Sequence, residues 1–336
     1  MTRPEVTVSM PARNAEPFIG CALASVLRQR EVDLEVIVVE DASEDHTADV
    51  VAGIADPRVR LIRNPVRRGI AACHNIVLDH SGAPFVAHVD ADDVVLSGAL
   101  RRMVDLLEGD PALGQGHCYF FEIDGDSRTT VAAFRRRWEW FHATRPPGMD
   151  YRAAIMRGCV INHLRTYRRA ALQATGRFNE SLPYGEDYEM ALRLLERFEI
   201  GLAPEFLYAY RIHGASTTES LRHEEWRLLV AQIQTWRRVW RLNENHFIRR
   251  KRGAMIRSVA ARLAQLSGLR RRTAFPPNRP AAPLVLPPEL IPVGDGGELQ
   301  LVPAGPPRHD QERIPLRDSK SSFASSYSRG LPRSRQ

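Results

Sequence analysis

Asp90 and Asp92 stand two residues apart at the end of the apolar run Phe85-Val86-Ala87-His88-Val89, and Asp93 follows directly. A run of that composition reads as an interior parallel strand, where unpaired carboxylates are costly. At the C-terminal end of such a strand they would enter the crevice in which open α/β sheets bind ligands. Strand alternation sends Asp90 and Asp92 to one side and Asp93 to the other. Two neighbouring hard oxygen donors suit a divalent cation, Mg²⁺ or Mn²⁺, held together with a substrate phosphate. A capped turn ahead of a helix near Leu100 is the plainer reading of an isolated Asp-x-Asp.

The elements that must position these carboxylates are strands alternating with helices. Residues 6–10, 36–39, 59–62 and 85–89 are short, apolar and β-branched, and Pro, Asp or Asn bounds them. Between them Ile19, Leu23, Val26 and Leu27 recur at helical spacing, as do Val50, Val51 and Ile54. This alternation predicts a mainly parallel, twisted sheet covered on both faces. Each strand runs into a polar turn. The first is Pro11-Ala12-Arg13-Asn14-Ala15-Glu16, and the second is Glu40-Asp41-Ala42-Ser43-Glu44-Asp45. The third spans Asn64 to Asn75 and contains Arg67, Arg68, Gly69 and His74; the fourth holds Asp90 and Asp92. Singly, Asp41 or Ser43 would be a helix cap. Four polar turns in succession point to a nucleotide crevice.

Further along, Leu100 opens a helical pattern through residue 107. Residues 117–121 and 129–134, around the turn Asp124-Gly125-Asp126-Ser127, read as a β-hairpin, so the second half of the sheet is expected to be mixed. Residues 170–175 and 188–198 read as helices and 207–212 as a short strand. Two amphipathic helices follow, one with Leu229, Ile233, Trp236 and Trp240 inward, the other with Ile256, Val259, Leu263 and Leu266. From about residue 275 the chain is rich in Pro, Arg and Ser without a sustained period, which predicts disorder. The expected organisation is a catalytic domain over residues 1–220, a basic helical extension over 221–272, and a tail over 273–336.

A chain of 336 residues with 43% hydrophobic and 26% charged residues reads as an ordinary globular protein. Cys21, Cys73, Cys118 and Cys159 form no Cys-x-x-Cys pair, which argues against a zinc site or a disulfide framework. With no membrane span and no signal peptide read from the sequence, a cytoplasmic setting is expected. The net charge of +7 is concentrated. Residues 224–272 carry thirteen Lys and Arg against three Glu, more than the whole surplus. Three readings of that stretch compete: packing on the catalytic domain, contact with an anionic membrane at the inner face of the plasma membrane, or nucleic-acid binding. The last ranks lowest because no recognition motif accompanies the charge, so no nucleic-acid partner is expected.

Taken in order, these turns resemble the family 2 glycosyltransferases, inverting enzymes with the GT-A fold. The residues that carry the likeness are Pro11 and Asn14, the acidic turn from Glu40 to Asp45, Asn64 with Gly69 and Asn75, and Asp90-Ala91-Asp92-Asp93. Thr175-Gly176-Arg177-Phe178-Asn179-Glu180, then Tyr184-Gly185-Glu186-Asp187-Tyr188-Glu189, complete the set over about residues 5–218. The resemblance implies that Pro11 lines the base pocket and that Asp41 hydrogen-bonds the nucleobase, commonly uracil. Asp90 would contact the ribose or sugar, Asp92 would ligate the metal at the diphosphate, and Asp187 would be the catalytic base. His213, in Tyr210-Arg211-Ile212-His213-Gly214, would lie near metal and diphosphate. Arg13, Glu16, Ser43 and Glu186 join the substrate-binding set. Where the family has Ala-Arg-Asn this chain has Cys73-His74-Asn75, so His74, Arg67 or Arg68 would have to supply that diphosphate contact.

The chemistry asks for these groups. A nucleotide-sugar donor leaves as a charged diphosphate, which a metal neutralises. The acceptor hydroxyl needs a carboxylate to take its proton, and Glu186-Asp187 at a helix start fits that role, although a helix N-terminus favours the same residues on its own account. Asn162 and His163, and the rings of Trp138 and Trp140, would face acceptor or sugar, or simply pack. The expected partners are a nucleotide-sugar donor and a saccharide or lipid-linked acceptor. Two rivals stay open. A nucleotidyltransferase would want a Gly-rich, lysine-bearing loop where Pro11–Glu16 has neither; a non-catalytic scaffold would not need Asp90, Asp92 and Asp187 together.

Overall fold

The computed structural model describes residues 3–145, 148–155, 160–182, 185–214, 284, 286–293 and 297–302. Its first half is the expected alternation: β1 (Val6–Ala12), α1 (Ile19–Leu27), β2 (Leu34–Asp41), α2 (Thr47–Ala52), β3 (Val59–Asn64), α3 (Ile70–His80) and β4 (Phe85–His88). β3, β2, β1 and β4 lie side by side and parallel, with Val6 opposite both Leu34 and Phe85. Val6, Val8 and Met10 face Ile19, Leu23 and Val26 of α1, while Ile37 and Val39 face Cys73 and Val77 of α3. Both faces are thus sealed, as the β-branched runs require.

Beyond β4 the sheet turns mixed. β5 (Val94–Val95), α4 (Ala99–Gly109), β6 (Leu113–Ile123), β7 (Arg128–Thr130), α5 (Val131–Thr144), α6 (Tyr151–Ala154), β8 (Thr166–Arg168), α7 (Arg169–Thr175), α8 (Glu186–Leu194) and β9 (Glu199–Arg211) follow in order. The eight-stranded order is β3-β2-β1-β4-β8-β6-β9-β5, with β8 and β5 antiparallel to their neighbours. β8 inserts between β4 and β6, which carries the residues just before it to the C-terminal end of β4.

Three expectations are corrected. The stretch 129–134 does not pair with residues 117–121. Only β7 is strand, and Thr130 Oγ1 accepts the Ala133 amide at 3.1 Å and caps α5, which Val131 opens. The strand expected over 207–212 is a 13-residue strand that starts at Glu199 and pairs along most of β6. Within the tail expected to lack regular structure, β10 (Leu290–Val293) and β11 (Glu298–Leu301) form an antiparallel pair that adds to β7 as a second sheet. Leu290, Leu299 and Leu301 are buried against Phe121, Phe134 and Trp138. At about 1.5–3 kcal/mol for each buried leucine, this holds strands too short to persist alone. Residues 221–272, and with them both basic helices and the boundary near residue 220, lie outside the described residues.

Candidate active site

The loops after β1 and β2 are clasped together. The Asn14 amide donates to Ser43 Oγ (3.1 Å), the Glu44 amide to Asn14 Oδ1 (2.9 Å), the Glu16 amide to Asp45 (3.1 Å) and the His46 amide to Glu16 (2.9 Å). Arg13 pairs with Glu44 at 2.9 Å. Both loops pass through left-handed backbone, at Asn14 (φ 50°) and Ala42 (φ 56°). Asparagine tolerates that region and alanine does not, so the clasp holds Ala42 there. Arg13, Asn14, Glu16 and Ser43 therefore shape one wall together. Pro11 is half-buried at the end of β1, opposite Val39.

Asp41 anchors the third loop. Its carboxylate accepts from Asn64 Nδ2, the Arg68 amide and the Gly69 amide, each at 2.8 Å. Burial works against its charge, but these three donors win and lower its pKa. Gly69 (φ 87°) takes a conformation that a side chain would strain, and its amide is thereby aimed at Asp41 before α3 begins.

The acidic turn follows β4, which ends at His88, so strand alternation no longer governs the aspartates. Asp90 and Asp93 converge on His163, whose Nδ1 lies 3.5 and 3.9 Å from their carboxylates, whereas Asp92 turns to His213 Nε2 at 2.9 Å. The expected pairing of Asp90 with Asp92 on one side is replaced by a turn closed by Asp93 N–H to Asp90 C=O (3.3 Å). Burial opposes the Asp90 charge, but His163 and Arg165 outweigh it and hold its pKa at about 2. Asp92 is raised by burial and by Asp90, and Asp93 is raised far more by burial and both neighbours. Three crowded carboxylates, two of them reluctant to ionise, with two imidazoles at their edge, are a donor set that a divalent cation would relieve. The residues fit such an ion in two ways: Asp92 with His213, or Asp90 and Asp93 with His163, whose ligand atoms lie within 4.8 Å of one another.

Asp187 lies in the first turn of α8 beside Glu186. Arg165 Nη1 meets Asp187 Oδ2 at 2.9 Å, and the second Asp187 oxygen accepts the Tyr188 amide at 2.6 Å. Burial would loosen the Arg165 proton, but the charges of Asp187 and then Asp90 more than compensate. Glu186 is buried, and burial together with Asp187 pushes its pKa up to about 8. A cavity of about 420 Å³ lined by Leu27, Val32, Asp33 and Arg58 opens at the opposite end of β2 and holds none of these groups.

Not every expected residue reaches the cleft. Asn75 is buried and tied to Phe178 C=O (2.9 Å) and Glu180 (2.8 Å), while its own Oδ1 takes the Phe178 amide (2.9 Å). It fastens α3 to the 176–180 segment. His74, one substitute for the missing arginine, is buried, hydrogen-bonded to Ser9 Oγ (2.8 Å) and stacked on His88 at 3.5 Å. Burial, and after it Arg165, lowers its pKa to about 3, so it stays neutral and supplies no diphosphate contact. Trp138 packs in the core, and Trp140 lies under the Arg145 guanidinium at 4.2 Å. Arg165 escaped the sequence reading altogether. It precedes a three-residue strand, which has no periodicity to announce it; the polar pair Asn162-His163 was the nearest signal.

The glycosyl transferase family 2 model matches residues 7–176, about half of the chain. The succinoglycan biosynthesis protein ExoO of Rhizobium meliloti (strain 1021) is 29% identical over 252 residues, covering 71% of this chain and 70% of its own. WfgD of Escherichia coli, a UDP-Glc:alpha-D-GlcNAc-diphosphoundecaprenol beta-1,3-glucosyltransferase, is 31% identical over 102 residues, 30% of this chain and 40% of its own. The mannosyltransferase PcManGT from Pyrobaculum calidifontis, solved with GDP-Man and Mn²⁺, superposes with a TM-score of 0.54 at 19% identity, over 81% of this chain and 77% of that one. That likeness is one of fold, and the fold is GT-A. The ordered turns, the mixed sheet that gathers them and the family match agree: this chain belongs to glycosyl transferase family 2.

Proposed function

We propose that the chain is an inverting, metal-dependent glycosyltransferase that moves a sugar from a UDP-linked donor to an acceptor hydroxyl in cell-envelope polysaccharide or glycolipid synthesis. The observation that carries this reading is the 2.9 Å ion pair of Asp187 with Arg165, a residue whose backbone carbonyl accepts from His88 N–H (2.8 Å) at the end of β4, just before the acidic turn. It sets a carboxylate suited to proton abstraction across from carboxylates suited to a cation. When bound, Mg²⁺ or Mn²⁺ at the acidic turn and His213 would neutralise the departing diphosphate.

The chain's own residues do the rest. Asp41 fixes the loop around the base, and the clasped loops of Asn14 and Ser43 close one wall. Arg165 and the Tyr188 amide hold both oxygens of Asp187, so that it receives the acceptor proton in a fixed orientation. Inversion follows when the hydroxyl attacks from the side opposite the leaving group. The names of WfgD and ExoO support a lipid-linked or polysaccharide acceptor. Among the described residues no helix is long and apolar enough to cross a membrane. A peripheral role at the inner membrane face, through the basic stretch 224–272, accords with a lipid-linked acceptor.

The test is a panel of nucleotide-sugars assayed for diphosphate release with cell-envelope extract and Mn²⁺. Asp187→Asn is expected to lose about 10²–10⁴-fold in kcat while UDP with Mn²⁺ still raises its melting temperature. Wild-type turnover in that variant, or release without any divalent cation, overturns the proposal.

A further inference from the structure

The acidic turn does not stand on β4 alone. Arg211, at the end of β9, is 1% exposed and makes contacts in three directions. Its backbone amide donates to Asp93 Oδ1 (2.7 Å) and its Nε to the Asp92 carbonyl (2.7 Å). Its Nη1 donates to the carbonyls of Asp124 (2.8 Å) and Gly125 (3.0 Å) and to Ser127 Oγ (2.9 Å). A planar guanidinium with fixed donors is suited to lock two loops in register, which an ammonium cannot do.

The 124–128 turn that receives Arg211 is itself gripped from the far end of the chain. Gln300 Nε2 donates to the Asp126 carbonyl (2.9 Å) and the Ser127 carbonyl (3.3 Å), and the Leu301 amide donates to the Ser127 carbonyl (2.9 Å). β11 pairs with β7 from Glu298 opposite Thr130 to Gln300 opposite Arg128. A second tie reaches the loop after β5, where the Ser97 amide donates to Glu289 Oε1 (2.8 Å).

We infer that the strand pair β10–β11 and Arg211 form a positioning device for the Asp90–Asp93 turn. The strand pair fixes the 124–128 turn, that turn fixes the Arg211 guanidinium, and the guanidinium fixes the backbone of Asp92, while the Arg211 amide holds the side chain of Asp93. Arg211 and Gln300 touch no substrate; they act through the carboxylates. This inference rests on the metal role proposed above for the acidic turn. Its consequence is that residues some 200–210 positions downstream in sequence from that turn govern how tightly it holds a cation.

The experiment uses the full chain and three variants: Arg211→Lys, the half-buried Gln300→Ala, and Asp92→Asn combined with Asp90→Asn. Two readouts are taken. Hydrogen exchange of the metal-free protein follows peptides over residues 90–96 and 123–130, with β1 as internal reference. Electron paramagnetic resonance of free Mn²⁺, with UDP present, gives the Mn²⁺ dissociation constant. R211K is expected to exchange faster in both peptides and not in β1, and to bind Mn²⁺ about ten-fold more weakly, the usual effect of removing a group that orients a metal ligand. Q300A should move both readouts in the same direction by a smaller factor, and it carries the test if R211K does not fold. Unchanged exchange over residues 90–96 with wild-type Mn²⁺ affinity in Q300A and R211K overturns the inference. No Mn²⁺ binding by the wild-type chain, or wild-type affinity kept when D92N is combined with D90N, instead overturns the metal reading on which it rests, so the two failures are distinct.

Discussion

Arg165→Met is the perturbation that tests the site most directly. Arg165 and Asp187 are 11% and 21% exposed at their side chains and meet at 2.9 Å. Deleting one member of such a buried pair leaves the other charged and unpaired, at a cost of about 3–5 kcal/mol. In a folded unit of this size the melting temperature should fall by about 10 °C. The pH dependence adds a sign. Arg165 is one of the groups that hold Asp90 down at about 2. A depressed folded pKa contributes stability that is present above the ordinary carboxylate value and lost as pH falls towards the depressed one. The variant lacks part of that contribution, so the gap in melting temperature should be widest near pH 7 and narrow as pH falls from about 5 to 3. The assay is thermal unfolding followed by circular dichroism, in a double-mutant cycle with Asp187→Asn. A coupling energy of about 2 kcal/mol is expected, because the double variant removes both halves of the pair. Additivity to within about 0.5 kcal/mol, or a gap independent of pH, would refute the linkage of Asp187 and Asp90 through Arg165.

Other expectations follow from the same electrostatics. Glu186 has a folded pKa raised to about 8, so folding favours its proton and stability declines as pH rises from about 4.5 towards 8; Glu186→Gln should flatten that decline, and melting curves with an unchanged slope would contradict the assignment. His88 is buried, and its Nε2 has no hydrogen-bond partner among the described residues. Burial, then His74, lowers its pKa, so wild-type stability drops as pH falls below about 6.5. His88→Phe should gain about 1 kcal/mol at pH 7.5 and more at pH 5.5 in urea unfolding. Asp41→Asn turns an amide towards three donors and should cost about 3 kcal/mol at pH 7, with UDP binding lost in calorimetry. The stability loss should shrink as pH falls below about 4, where the unfolded chain takes up the proton that folded Asp41 resists and the carboxylate's contribution is lost.

What could be read from residue order was whatever neighbours in sequence decide. β-branched runs broken by polar turns specify β1 to β4, and strand polarity alone places Asp41, Asp90 and Asp92 at one edge of the sheet. The turn of Glu186 and Asp187 was legible because a helix start is local. The reading failed where contacts are distant or elements are short. Strand alternation assigned Asp90 and Asp92 to one side, but the strand stops at His88 and a turn redirects each carboxylate to a different histidine. Asn75 and His74 sit on the helix that faces the crevice, yet Phe178 and His88 turn them into packing residues.

Residue order alone specified parallel strands with polar, acidic turns at their C-terminal ends, because apolar period and turn chemistry are fixed within about ten residues of chain. Tertiary structure decided the rest. Inserting β8 between β4 and β6 brings Arg165 to the C-terminal end of β4, where it bridges to Asp187. Docking three leucines of β10 and β11 on Phe121, Phe134 and Trp138 brings Gln300 to the turn that steadies Arg211. Those groups acquire a role only when burial makes an unpaired charge or donor costly, and no local pattern records which distant partner removes that cost.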